Sequence, residues 1–128
     1  MLFNKLHIIL YVSNQEKSTA FYSDLLNLTP SLYVEGMTEY TLNKFTKLGL
    51  MPEKSIAKLL PNIPNPKLAN GIPKCELYIF VENVSEIFAK ALKLGAKELN
   101  LPNQRDWGDF VGYASDFDRN ILAFSKTI

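Results

Sequence analysis

The order of apolar segments in this chain repeats, and that repeat limits the fold more than any single motif. LHIILYV (Leu6–Val12) and CELYIFV (Cys75–Val81) both read as strands rich in β-branched and aromatic residues. Each is followed by a segment with helical spacing, and each helix by three short strand candidates. Laying Val12 on Val81 superposes the halves with one offset: His7 falls on Glu76, Ile9 on Tyr78, Tyr11 on Phe80 and Ala20 on Ala89. A repeat of this kind predicts two copies of one supersecondary unit, each strand–helix–three strands, and so the α+β class.

In the first half, Ser13 and Glu16 form the pattern of a capping box. Phe21, Leu25 and Leu28, with Tyr22 and Leu26 beside them, supply the apolar face of a helix ending near Asn27, before Pro30. Strands are expected over Ser31–Glu35, Glu39–Asn43 and Lys47–Met51, with Gly36 at a turn. In the second half Asn83 and Glu86 cap a helix whose apolar face is Val84, Ile87, Phe88, Ala91 and Leu92, and Gly95 ends it. Strands are expected around Lys97–Leu99, Phe110–Ser115 and Ile121–Lys126. The modules then span about residues 1–52 and 75–128. The Pro-rich stretch between them, about 53–74, reads as a linker with one or two helical turns over Lys54–Leu60.

Composition narrows the function classes. With 47% hydrophobic residues among 128, the chain can build a real core. A formal charge of +1 with scattered Lys and Arg offers no basic stripe for nucleic acid. No apolar run reaches transmembrane length, and no signal-peptide pattern opens the chain, so no membrane partner is expected. Cys75 is the only cysteine, which leaves no internal disulfide and suits a reducing compartment, with the cytoplasm as the expected location.

Two stretches carry a family resemblance. In the first strand and helix, His7 is followed by an apolar run, Val12, Ser13, Phe21-Tyr22 and Leu25-Leu26. Late in the chain come Trp107-Gly108, a strand, and then Asp116, Asp118 and Asn120 before the last strand, with Phe117 and Arg119 where the family pattern has Pro and Gly. On a repeated βαβββ frame these motifs resemble the vicinal oxygen chelate superfamily: the glyoxalases, bleomycin-resistance proteins and extradiol dioxygenases. The resemblance covers nearly the whole chain. It implies two βαβββ modules forming a cup-shaped mixed sheet, helices on the convex face and ligands on the concave one.

On such a frame, strand alternation assigns faces. His7, Ile9 and Tyr11, and likewise Glu76, Tyr78 and Phe80, are expected to face the cup. Ile8, Leu10 and Val12, with Leu77, Ile79 and Val81, are expected to face helices. On the last strand Ile121, Ala123 and Ser125 point inward. The resemblance implies metal ligands on the first strand of each module and on a last strand. His7 and Glu76 are competent donors, but Ala123 stands where the metalloenzymes usually have Glu, and a methyl group coordinates nothing. One His also excludes a 2-His-1-carboxylate iron site. The expectation is therefore a metal-free cup. Its alternative is a divalent-metal lyase, isomerase or dioxygenase of glyoxalase type, holding nickel, zinc, iron or manganese through His7 and Glu76, which would then be the catalytic residues.

The expected ligand surface is His7, Ile9, Tyr11, Tyr40, Glu76, Tyr78, Phe80, Trp107 and Tyr113, with Arg105 and Asp109 as further polar anchors. Aromatic faces suit a planar or cationic small molecule. Asp116 and Asp118 are expected to hold a turn. The leading expectation is a small-molecule-binding protein similar to the bleomycin-resistance branch, which the resemblance implies is a homodimer.

Overall fold

The computed structural model describes residues 3–128. The chain divides into two compact units, one ending at Asn70 and the other beginning at Gly71. Each holds a four-stranded mixed sheet.

In the first unit the elements run β1 (Leu6–Val12), α1 (Gln15–Leu26), β2 (Leu32–Val34), β3 (Met37–Thr41), β4 (Thr46–Pro52) and α2 (Glu53–Leu59), then a 3-10 turn at Pro66–Ala69. The sheet order is β1-β4-β3-β2, with β1 parallel to β4 and the other pairs antiparallel. In the second unit come β5 (Glu76–Phe80), α3 (Val84–Lys93), β6 (Lys97–Gln104), β7 (Asp109–Ser115) and β8 (Ile121–Thr127), in the order β5-β8-β7-β6. The two topologies are the same, as the sequence repeat requires. No helix among the described residues is long and apolar enough to cross a membrane.

Local chemistry explains the ends of the elements. The cap of α1 is Asn14 rather than Ser13: its side chain accepts from the Lys17 amide at 3.0 Å. Asn27 ends that helix in the left-handed conformation, and its own amide reaches back to Asp24. Asn83 caps α3 through the Glu86 amide at 3.1 Å. The stretch expected as linker is more ordered than its Pro content suggests. Its α2 packs on β4 and β1 and buries Ile56, so it belongs to the first unit.

Strand alternation carries the packing. Leu10 and Val12 are buried towards the helices, while His7, Ile9 and Tyr11 on the other side of β1 are exposed. In the second unit α3 packs on β8, and Phe88 and Ala91 of the helix and Leu122 and Phe124 of the strand are all buried. Gly112 is the point of closest approach of this layer. A Cβ there would stand 2.8 Å from Phe88 Cδ1 and 2.8 Å from Pro102 Cγ. The glycine lets α3 and the Pro102 ring settle onto β7.

Candidate functional site

In the first unit, the face turned away from α1 presents His7, Ile9 and Tyr11 on β1. Register adds Lys47, Gly49 and Met51 on β4, and Met37, Glu39 and Thr41 on β3. Glu39 is the polar centre of this face. One of its oxygens lies 3.8 Å from His7 Nδ1, and the other accepts from Lys47 Nζ at 3.4 Å. The partner of His7 within this unit is therefore a carboxylate already shared with an ammonium group. Such an arrangement suits a polar contact and repels a divalent ion, because Lys47 already neutralises the acid.

Tyr40 does not belong to this face. It pairs with Leu48, so its side chain points to the helix, and it has no exposed surface. Its hydroxyl donates to the Thr19 carbonyl at 2.9 Å and meets Ser23 Oγ at 2.9 Å. Burial pushes the phenol above its ordinary pKa. Tyr40 is a core residue pinning α1, and the expected ligand contact is corrected accordingly.

In the second unit, register places three rows on the face turned away from α3. Glu76, Ile121 and Ser115 form the first; Tyr78, Ala123 and Tyr113 the second; Phe80, Ser125 and Val111 the third. The floor of this face is closed, since Ala123, Ser125 and Val111 have no exposed surface. Above it stand Phe80, 62% exposed, and Trp107, 58% exposed.

Tyr78 joins them. Its ring meets Phe80 edge-on, with centroids 5.4 Å apart. Its hydroxyl donates to Asp109 Oδ2 at 2.6 Å, and accepts from Trp107 Nε1 at 2.9 Å and from Ser125 Oγ at 3.1 Å. One phenolic oxygen thus spends its single donor and both lone pairs, and three strands and a loop converge on it. The loop is the tight turn from Arg105 to Asp109. The Arg105 amide bonds the Asp109 carbonyl at 2.8 Å, and Gly108 adopts a φ of +94° that side-chain-bearing residues avoid. This turn holds the Trp107 ring beside Tyr78.

Beside Ala123, on the other flank from Tyr78, Tyr113 lies under Arg105, whose Cζ is 5.2 Å from the ring centroid. Burial first, then the nearby Glu76 charge, raises the Tyr113 pKa. Asp116 holds the turn before β8, as expected. Its Oδ1 accepts from the Asp118 and Asn120 amides, and Arg119 takes the left-handed conformation, φ +69°.

Within neither unit, among the described residues, do three or more His, Cys, Asp or Glu side chains gather to hold a metal. In the second unit Glu76 faces Ala123's row without a second acid beside it, and Asp109 is engaged by Tyr78. Neither unit by itself gathers the three or more donors that such sites use.

Of the expected site residues, Tyr78, Phe80 and Trp107 form one contacting group, with Tyr113 across Ala123; Ile9 and Tyr11 share the His7 face of the first unit. The sequence places Ser125 on the inward face without a partner, and does not mark Glu39 or Lys47 as site residues. Period-two alternation places each on its face, but naming them as partners requires the register between strands.

A family profile described as the glyoxalase/bleomycin resistance protein/dioxygenase superfamily matches residues 6–124. The chain belongs to this superfamily. Several solved structures resemble it over most of its length. A glyoxalase-related enzyme from Fulvimarina pelagi is 19% identical, with a TM-score of 0.81 over 93% of this chain and 84% of that one. A glyoxalase/bleomycin resistance protein/dioxygenase family enzyme from Burkholderia phytofirmans is 14% identical, with a TM-score of 0.77 over 95% and 97%. A protein from Agrobacterium tumefaciens is 27% identical, with a TM-score of 0.76 over 99% of both chains. No curated protein matches the chain. The superfamily frame is thus kept in this member.

Proposed function

We propose that this protein binds a small planar molecule on the aromatic face of its second unit, as a ligand-holding rather than metal-using member of the superfamily. One observation carries the reading: exposed Trp107 and Phe80 flank Tyr78, whose hydroxyl is fully engaged. Large exposed rings held in place lose little entropy when a ligand stacks on them. The closed floor under them supports stacking from above rather than coordination from below.

The donor sets support the metal-free part. A methyl at Ala123, a committed Asp109 and a Glu39 shared with Lys47 leave too few free lone pairs in either unit.

The test uses Trp107 itself, the only tryptophan of the chain. Titration with planar aromatic compounds and with aliphatic compounds of similar size is followed by its emission. The reading expects saturable quenching by the planar set, weakened several-fold in Phe80→Ala. It is abandoned if the two sets behave alike or if neither saturates.

A further inference from the structure

Arg105 is built in more firmly than a surface cation needs to be. Its Nη2 donates to Asn100 Oδ1 at 2.9 Å, to the Leu101 carbonyl at 3.2 Å and to the Val111 carbonyl at 2.7 Å. Its guanidinium stacks over Tyr113. Its Nε is sealed from solvent without a hydrogen-bond partner. Among the described residues no carboxylate pairs with it, and its Nη1 has no protein acceptor. Nη1 is also not among the sealed, unpartnered atoms, so it is the corner of the fork open to solvent.

The sequence builds this seat. The ladder between β6 and β7 shifts register between Glu98 and Asn100 and again between Asn100 and Asn103, around Pro102, which has no amide hydrogen. The irregularity turns the Leu101 and Val111 carbonyls towards Arg105. Capping two carbonyls explains Nη2. It does not explain a fixed positive charge with no counter-ion and one open corner, since a partly desolvated cation is costly until it is paired.

The geometry points to Arg105 as the anchor for a carboxylate on the planar ligand, an assignment that rests on the aromatic-face reading above. Tyr113, under Arg105, and Tyr78, beside Trp107, both pair with Ala123 from opposite sides. They are therefore two strand spacings apart, roughly 10 Å. A single ring resting against Trp107 and Tyr78 with a carboxylate directed at Nη1 spans that interval. Glu76 lies on the same face and Asp109 stands beside Tyr78. These acids disfavour a doubly charged phosphate and leave a singly charged carboxylate as the better match.

Benzoate and its neutral analogue benzamide are the probes, titrated against the full chain by Trp107 emission. Wild type is expected to bind benzoate about tenfold more tightly than benzamide, the scale of one charge-assisted hydrogen bond. In Arg105→Gln that ratio is expected to fall towards one. Nitrogen-15 NMR of the wild-type Arg105 side chain gives a second readout if the variant fails to fold: benzoate, and not benzamide, shifts its Nε–H signal. Equal binding of both probes, or a preference that survives in Arg105→Gln, overturns the anchor and leaves the aromatic-face reading standing. Absence of saturable binding by either probe overturns both.

Discussion

The Tyr78 hydroxyl donates a hydrogen bond to Asp109 Oδ2 across 2.6 Å, although the two residues sit on strands that do not touch. β8 runs between them, and its Ser125 adds a third group to the same oxygen. The bond exists because the tight Arg105–Asp109 turn places Asp109 at the start of β7, facing the same side as Tyr78. It orders a stacking surface without consuming the rings that form it.

Tyr78→Phe keeps the ring and removes the oxygen on which three groups converge. Ser125 Oγ is buried, and Asp109 loses a charge-assisted bond. Leaving such groups unpaired costs about 1–3 kcal/mol. Chemical denaturation should show that loss, and Trp107 emission should move to the red as its indole is freed. A variant with the wild-type midpoint and unshifted emission would show that the hydroxyl organises nothing.

Tyr40 makes a pH prediction. Its phenol is raised above the ordinary 10.0, chiefly by burial, so the folded chain holds this proton more tightly than the unfolded one. The stabilisation it brings is complete below pH 10 and is lost as pH climbs through the raised folded value. At neutral pH, Tyr40→Phe should cost about 1 kcal/mol for the bonds to Thr19 and Ser23. The gap between variant and wild type should narrow above about pH 10, measured as the difference in denaturant midpoint across an alkaline series. A gap that stays constant or widens would contradict the buried, neutral phenol.

Much of this arrangement is legible in the sequence because it depends on periodicity. The repeat gives two equivalent units, and alternation along LHIILYV correctly separates buried Leu10 and Val12 from exposed Ile9 and Tyr11. Tyr40 is misread because β3 is short and polar on both sides, so its parity becomes visible only through its pairing with Leu48. Asn14 displaces Ser13 as cap because both are competent acceptors and backbone geometry decides between them. The Trp107–Tyr78–Asp109–Ser125 group joins parts distant in sequence through strand register, which single-sequence patterning does not contain.

The two glycines inside strands should respond differently to alanine. At Gly112 the new methyl meets two ring carbons at 2.8 Å, from Phe88 and Pro102, and Phe88 is buried. Relief requires α3 to lift, at about 1–3 kcal/mol. At Gly49 it meets Ile9 Cγ1 at 3.2 Å and Met37 Sδ at 3.3 Å. Both are adaptable side-chain atoms on the face away from α1, so the cost should stay below about 1 kcal/mol. Denaturation midpoints of the two variants test the order, and the reverse order would mean that α3 is not seated on Gly112.

The remaining prediction concerns metals, where His7 decides. Among the described residues of its own unit the acid beside His7 is Glu39, and Glu39 is held by Lys47 at 3.4 Å. An ion held by this pair would displace that ammonium, or sit against it, and would draw two donors from this unit where catalytic sites of this kind use three or more. In the second unit the equivalent of the family's Glu is the buried methyl of Ala123, which lies between Tyr78 and Tyr113 and offers no lone pair. Protein expressed with nickel, zinc, iron and manganese and purified without chelator should therefore carry far less than one ion per chain by elemental analysis. His7→Ala should leave that content, and the melting temperature in the presence of each metal, where they were. A stoichiometric ion that disappears with His7→Ala would overturn the ligand-holding reading in favour of metal-dependent chemistry.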